Sequence, residues 1–264
     1  MKNVTKKKNI RLITKLEVKS PNVIKGIQLE GLRVVGKPSH LAKKYYEEGI
    51  DEIIYIDIVA SLFERKQIIE TVKEAAESIF IPLVVGGGIR TLNDIETALS
   101  HGADKVALNT AAISDPSIIR EASHKFGSQC IVSSIEAKKR SNEWIALTDN
   151  GRQVSEKNVL EWAQKVEELG AGEILLTSID KDGVKKGFDI DLYRDVSDLV
   201  KIPVIACGGA GEPGHIKDLL DKANIDAICC SSIFHFNKFS ISYVKDFLIK
   251  SGYNLRKEEN DSYN

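Results

Sequence analysis

Two glutamates, Glu17 and Glu136, stand 119 positions apart in a chain of 264 residues, each closing an apolar run and each followed two places on by a lysine. In Leu16-Glu17-Val18-Lys19 and Ile135-Glu136-Ala137-Lys138 the carboxylate sits where a buried strand would end. A side chain at that position reaches into a mouth, not a core. Two opposed carboxylates above an apolar floor push each other's proton affinities apart, so one serves as general acid and the other as general base near neutral pH. The plainer reading is a pair of structural acids neutralised by Lys19 and Lys138. Their symmetry-related spacing favours chemistry.

A glycine loop repeats with almost the same offset. Ile81-Pro82-Leu83-Val84-Val85-Gly86-Gly87-Gly88 returns 121 positions later as Ile202-Pro203-Val204-Ile205-Ala206-Cys207-Gly208-Gly209. In each copy a β-branched run after Ile-Pro reads as a buried strand, and the glycines let backbone N–H groups close on an oxyanion at the next helix N-terminus. The copy extends from Gly102-Ala103-Asp104-Lys105-Val106-Ala107-Leu108-Asn109-Thr110 to Ile225-Asp226-Ala227-Ile228-Cys229-Cys230-Ser231-Ser232. One phosphate site is expected from Gly87, Gly88, Asn109 and Thr110, and a second from Gly183, Gly208, Gly209, Ser231 and Ser232. A small substrate with two phosphates follows. Asp57, Thr177 and Asp182 are placed to hold its hydroxyls, and Lys25 to neutralise its charge.

These residues need a scaffold that gathers strand ends. Apolar runs of strand length recur at 10–16, 52–57, 81–85, 105–109, 129–136, 173–177, 203–207 and 226–231, each followed by a helical pattern. Helix punctuation agrees, with Ser39 and Gly49, Thr91 and Gly102, Asp115-Pro116 and Gly127, and Ser155 and Gly170 as expected bounds. Eight such units predict an α/β fold, a (β/α)8 TIM barrel built from two half-barrel repeats, with its chemistry at the carboxyl ends of the strands. A doubly wound open sheet fits less well, because its glycine fingerprint would follow the first strand, not the third and seventh.

Composition bounds the rest. At 42% hydrophobic and 28% charged, residues 1–264 suit one barrel domain, with a flexible basic start (1–8) and a polar tail (256–264) outside it. The 37 basic and 38 acidic residues nearly cancel, so nothing favours nucleic acid or a membrane surface. No run of ~20 apolar residues occurs and no apolar stretch backs the N-terminal lysines, which predicts a cytoplasmic protein. Cys130, Cys207, Cys229 and Cys230 read as free thiols without metal-ligand spacing. The five histidines form no ligand set, so no metal or organic cofactor is implied. Trp144, Trp162 and Phe234-His235-Phe236 read as packing.

Over residues 10–236 the chain resembles the cyclase subunits of imidazole glycerol phosphate synthase, the HisF family. The specific stretches are Val23-Ile24-Lys25-Gly26, Asp57-Ile58-Val59-Ala60-Ser61, Val85-Gly86-Gly87-Gly88-Ile89, Asn109-Thr110-Ala111-Ala112, Phe126-Gly127-Ser128-Gln129, the run from Gly170 to Asp180, and Ile233-Phe234-His235-Phe236. The resemblance implies histidine biosynthesis and a heterodimer with a glutaminase subunit. Ammonia from that partner would enter the amino-terminal face of the barrel, cross its centre, and attack a ribulosyl bisphosphate at the other end. It also implies that Glu17 and Glu136 stand where the family carries two catalytic aspartates, while Val59 and Cys207 replace residues that are usually hydroxylated. Arg11, Glu52, Lys105 and Glu173 match the charged gate of the ammonia entrance, with Asp104 beside it at the partner interface. The paired exchange to the longer acid motivates an alternative: a divergent cyclase-like paralogue that delivers ammonia to a sugar amidotransferase in acetamidino-sugar biosynthesis.

Overall fold

The computed structural model describes residues 8–59 and 65–257. Residues 1–7 of the basic start, 258–264 of the tail, and Ala60 and Ser61 of one quoted motif lie outside the described residues. Twelve strands run in chain order: β1 (Arg11–Lys19), β2 (Asn22–Ile27), β3 (Glu30–Gly36), β4 (Glu52–Asp57), β5 (Leu83–Gly86), β6 (Lys105–Leu108), β7 (Ile131–Arg140), β8 (Glu143–Thr148), β9 (Gln153–Asn158), β10 (Glu173–Ser178), β11 (Val204–Cys207) and β12 (Ala227–Cys229).

Eight of them, β1, β4, β5, β6, β7, β10, β11 and β12, pair in parallel, and the ring closes where β10 meets β7 and β12 meets β1. This is the expected (β/α)8 barrel, each expected apolar run supplying one barrel strand. Period-two alternation divides the apolar side chains between two layers. Ile13, Ile54, Val84, Val132, Leu175 and Ile205 fill the barrel interior, while Leu12, Leu16, Ile53, Leu83 and Val106 join the larger layer between strands and helices. By the same alternation Arg11, Ile13, Lys15 and Glu17 all face inward from β1.

The remaining four strands were not foreseen. β2 and β3 form an antiparallel hairpin on β1, and β8 and β9 form another on β7, each continuing a barrel strand beyond the rim. The two hairpins thus repeat with the half-barrels. They reach across the mouth, where Gln28 N–H donates to the Asp182 carbonyl at 2.8 Å and Gln28 Nε2 to the Asp180 carbonyl at 3.0 Å. A Cβ built on Gly151, in the second hairpin's turn, would lie 2.6 Å from a Leu29 methyl at the tip of the first.

Three helix starts differ from expectation. The helix Pro38–Glu47 begins after Lys37, because Pro38 with its fixed φ takes the first turn and carries Ser39 inside. Ser155 belongs to β9, and Asn158 caps the helix Val159–Glu168 by accepting from the Leu160 and Glu161 N–H groups. The helix Ser117–Phe126 has Pro116, not Asp115, at its cap position, although Asp115 accepts from the Ser117 N–H at 3.0 Å. Thr91 does cap its helix, in a reciprocal box with Asp94. Among the described residues no helix is long and apolar enough to cross a membrane.

Candidate active site

The carboxyl ends of β1 and β7 bring Glu17 and Glu136 to one mouth. Glu17 is 4% exposed and lies between two lysines: Lys15 Nζ is 2.9 Å from Oε1 and Lys25 Nζ is 2.9 Å from Oε2. Burial by itself would push this carboxyl up, but the two ammonium groups pull it down to about 2. Glu136 has no lysine partner among the described residues and accepts only the Gly151 N–H, at 2.8 Å. Burial pushes it up to about 7, with Glu17 and Asp182 adding repulsion and Lys15 and the Gly151 N–H opposing. One carboxyl is therefore a fixed anion and the other a proton carrier near neutrality, the separation of roles that acid–base chemistry needs. Neither Lys19 nor Lys138 neutralises them.

Beside Glu136 opens a cleft of about 370 Å³, lined in part by Asp57, Gly87, Gly88, Arg90, Asn109, Thr110 and Arg152. All four residues expected at the first phosphate site are present in it, joined by two arginines that sequence reasoning did not select. Gly87 has φ +91°, and a Cβ there would fall 2.0 Å from the Asp57 carbonyl oxygen. Asp57 itself accepts from the Val59 N–H at 2.9 Å, which shapes that rim. Gly87→Ala is expected to lower the unfolding free energy by ~3 kcal/mol, since strain at positive φ adds to a backbone clash. A thermal melt checks this, and an unchanged melting temperature would contradict the packing described.

The second expected phosphate site is only partly assembled. A cleft of about 410 Å³ is lined by Lys25, Gly26, Arg33, Gly183, Lys185 and Ser232 among others. Gly208 and Gly209 lie behind it, not in its wall. A Cβ on Gly208 would fall 2.7 Å from the Ser178 carbonyl oxygen, and one on Gly209 2.3 Å from that of Gly187. Ser231 is buried and donates to the Lys15 carbonyl at 2.9 Å. Thr177 is likewise buried in β10. Asp182, expected to meet a substrate hydroxyl, instead takes Lys25 Nζ at 2.8 and 3.0 Å. Lys25 is accordingly no loop cation: it lies in β2, is 2% exposed, and bridges Glu17 to Asp182.

At the opposite end of the barrel the four residues expected at the gate form a closed ring. Arg11 pairs with Glu52 at 2.5 Å and with Glu173, while Lys105 pairs with Glu52 at 3.1 Å and Glu173 at 3.0 Å. Each carboxylate bridges two cations, so the floor is shut by alternating charge. Asp104 stays outside this ring, exposed on the same face, and its carboxylate accepts the Leu83 N–H at 2.8 Å. Asp51 and Asp226 do the same for Leu12 and Val204, so all three acids tie neighbouring strands together at the barrel bottom.

Besides Arg90 and Arg152, sequence reasoning missed Lys15. Its signal was legible: a lysine within Leu12-Ile13-Thr14-Lys15-Leu16-Glu17, two residues before the carboxylate and so on the same inward face. Cys207 and Cys229 oppose each other on β11 and β12, also facing inward. Cys207 is lowered to about 7, chiefly by a hydrogen bond from Cys229 and, against burial, by Lys15. Among the described residues no cluster of His, Cys, Asp or Glu is arranged to hold a metal ion.

Comparison with known proteins identifies relatives of the chain. Residues 11–240 match the model of a family described as histidine biosynthesis protein. The chain is 47% identical over 250 residues to an imidazole glycerol phosphate synthase subunit HisF of Dehalococcoides mccartyi (strain ATCC BAA-2100 / JCM 16839 / KCTC 5957 / BAV1), an alignment covering 95% of this chain and 99% of that protein. It is 55% identical over 205 residues to the subunit of the same description from Legionella pneumophila, covering 77% of this chain and 97% of the relative.

Proposed function

The chain belongs to the histidine biosynthesis protein family, alongside the HisF subunits of imidazole glycerol phosphate synthase, and on that premise we propose that it works as their cyclase, a lyase using ammonia from a glutaminase partner. The observation that carries this reading is the unlike setting of two repeat-related glutamates at one mouth, Glu17 between two lysines and Glu136 on the Gly151 N–H, above a floor closed by four alternating charges. Glu136 would give its proton to the oxygen that ammonia displaces. Glu17, held as an anion, would stabilise the positive charge that the attacking nitrogen acquires. The two clefts on either side would hold the ends of a bisphosphorylated ribulosyl substrate, the first through Gly87, Gly88, Asn109 and Thr110 with Arg90 and Arg152, the second through Gly183 and Ser232 with Lys185. Glu17 is held by two lysines and Glu136 by the Gly151 N–H, which fixes both carboxyl positions.

Purified protein supplied with the ribulosyl bisphosphate and an ammonium salt is expected to form imidazole glycerol phosphate and an aminoimidazole carboxamide ribotide. Turnover no greater than background would overturn this substrate. No observation favours delivery of ammonia to a sugar amidotransferase above this reading.

The ring at the floor supports the partnership. A small neutral amine can pass between side chains that part transiently, whereas ions meet the opposite charge and bind. Lys105→Ala removes a cation shared by Glu52 and Glu173. Glutamine-driven synthesis in the complex is expected to fall much further than synthesis from added ammonium. Equal losses in the two assays would argue against the ring as an ammonia gate.

A further inference from the structure

We propose that Lys15 is the positioning residue that makes the two glutamates unlike, an inward-facing cation on β1 that ion-pairs with Glu17 and holds it as an anion, while Glu136 gains no such partner among the described residues. Lysine is almost never fully buried unless paired, and Lys15 is 6% exposed. Its ammonium group lies 2.9 Å from Glu17 Oε1, and among the described residues no other carboxylate is ion-paired with it. Lys25 also touches Glu17, but its charge is shared with Asp182 at 2.8 Å, so that pair is nearly neutral as a unit. Lys15 is thus the cation whose one carboxylate partner is Glu17 among the described residues.

The repeat supplies the control. The offset that relates Glu17 to Glu136 relates Lys15 to Ser134, which is half-buried and lines the cleft with Glu136. A pseudo-twofold barrel would give both glutamates the same surroundings, and this exchange breaks the symmetry at the reacting centre. The groups that face Lys15 come from every neighbouring element: Glu17 on β1, Lys25 on β2, Glu136 on β7, Asp182 after β10, Cys207 on β11 and Cys229 on β12, with His235 close by. Burial would strip the Lys15 proton, but Cys207, Glu17, Asp182 and Cys229 hold it well above the usual lysine range. The ammonium therefore persists across the working pH range.

The rate measurements below rest on the cyclase reading, whereas the titrations do not. The glutamate δ-carboxyls of the full chain, labelled with carbon-13, are titrated by NMR in the wild type and in Lys15→Met, Lys15→Gln and Lys15→Arg. Met or Gln is expected to raise the Glu17 midpoint by about one pH unit or more, and Arg to leave it near that of the wild type. In ammonium-driven synthesis the acid limb of the pH–rate profile should move up with it. kcat should fall ~10-fold while KM for the bisphosphate stays within about twofold, because the phosphates are held elsewhere and only the oriented charge is lost. A Glu17 midpoint unmoved in a folded Met or Gln variant would overturn the assignment. Shifted midpoints in a protein whose wild type makes no imidazole glycerol phosphate would support Lys15 while rejecting the cyclase reading.

Discussion

Glu136→Gln is expected to slow ammonium-driven synthesis ~10²–10⁴-fold, the usual worth of one positioned proton donor, with little change in substrate affinity. The exchange is nearly isosteric, and the amide oxygen can still accept the Gly151 N–H that Glu136 accepts at 2.8 Å. The pH dependence carries the sign. With its carboxyl raised to about 7, Glu136 keeps its proton below that value and loses it above, so the wild-type rate should fall as pH rises through about 7. Stability follows the same group in the unfavourable direction. Between the ordinary carboxyl range and about 7 the folded protein holds a proton that the unfolded chain has released. Unfolding free energy therefore declines with rising pH over that window and stays lower above it. Glu136→Gln abolishes this dependence. At pH 8 the variant should be more stable than the wild type by on the order of 1–3 kcal/mol, while being nearly inactive. A variant both active and unchanged in its melting temperature would remove Glu136 from the chemistry.

Glu17→Gln should have the larger structural effect. The substitution leaves Lys15 without its carboxylate and Lys25 with Asp182 alone, and breaking a buried ion pair by removing one partner costs roughly 3–5 kcal/mol. The expected results are a much lower melting temperature and, in protein kept well below it, a loss of turnover of at least ~10²-fold. The pH signature is opposite to that of Glu136. A carboxyl lowered to about 2 stabilises the fold above the ordinary carboxyl range, and this contribution is lost as pH falls from there toward 2. Wild-type acid unfolding should include that loss and the variant's should not. If Glu17→Gln melted like the wild type, the two lysines would have to be satisfied elsewhere, and the electrostatic account of the mouth would fail.

Several features were legible because they are written in short or repeated stretches. Ile-Pro followed by a β-branched run marked β5 and β11, Thr91 marked its own helix cap, and the offset of about 120 residues placed Glu17 opposite Glu136. The ring of four charges was legible through the resemblance, each member standing at the start of a barrel strand. The hairpins were not. β2 and β3 contain Lys25, Gly26 and Gly31 in an order with no clear alternation, and β9 is mostly solvated, so a loop reading was natural. Ser155 looked like a helix cap for the same reason, since only the pairing of β9 with β8 shows that the strand continues to Asn158. Lys15 was less legible because it interrupts an apolar run and does not end one.

From its sequence alone this chain determined its eight parallel strands, the carboxylate at the end of the first and of the fifth, and the glycine turns that follow the third and the seventh. Periodicity, turn chemistry and internal repetition act over a few residues or over one fixed offset, so they survive without coordinates. The tertiary structure decided which glutamate is charged. Proton affinity depends on desolvation and on charges within a few ångströms, and those are brought in by partners remote in sequence: Lys25 reaches Asp182 across 157 positions to brace Glu17, and no such cation closes on Glu136 among the described residues.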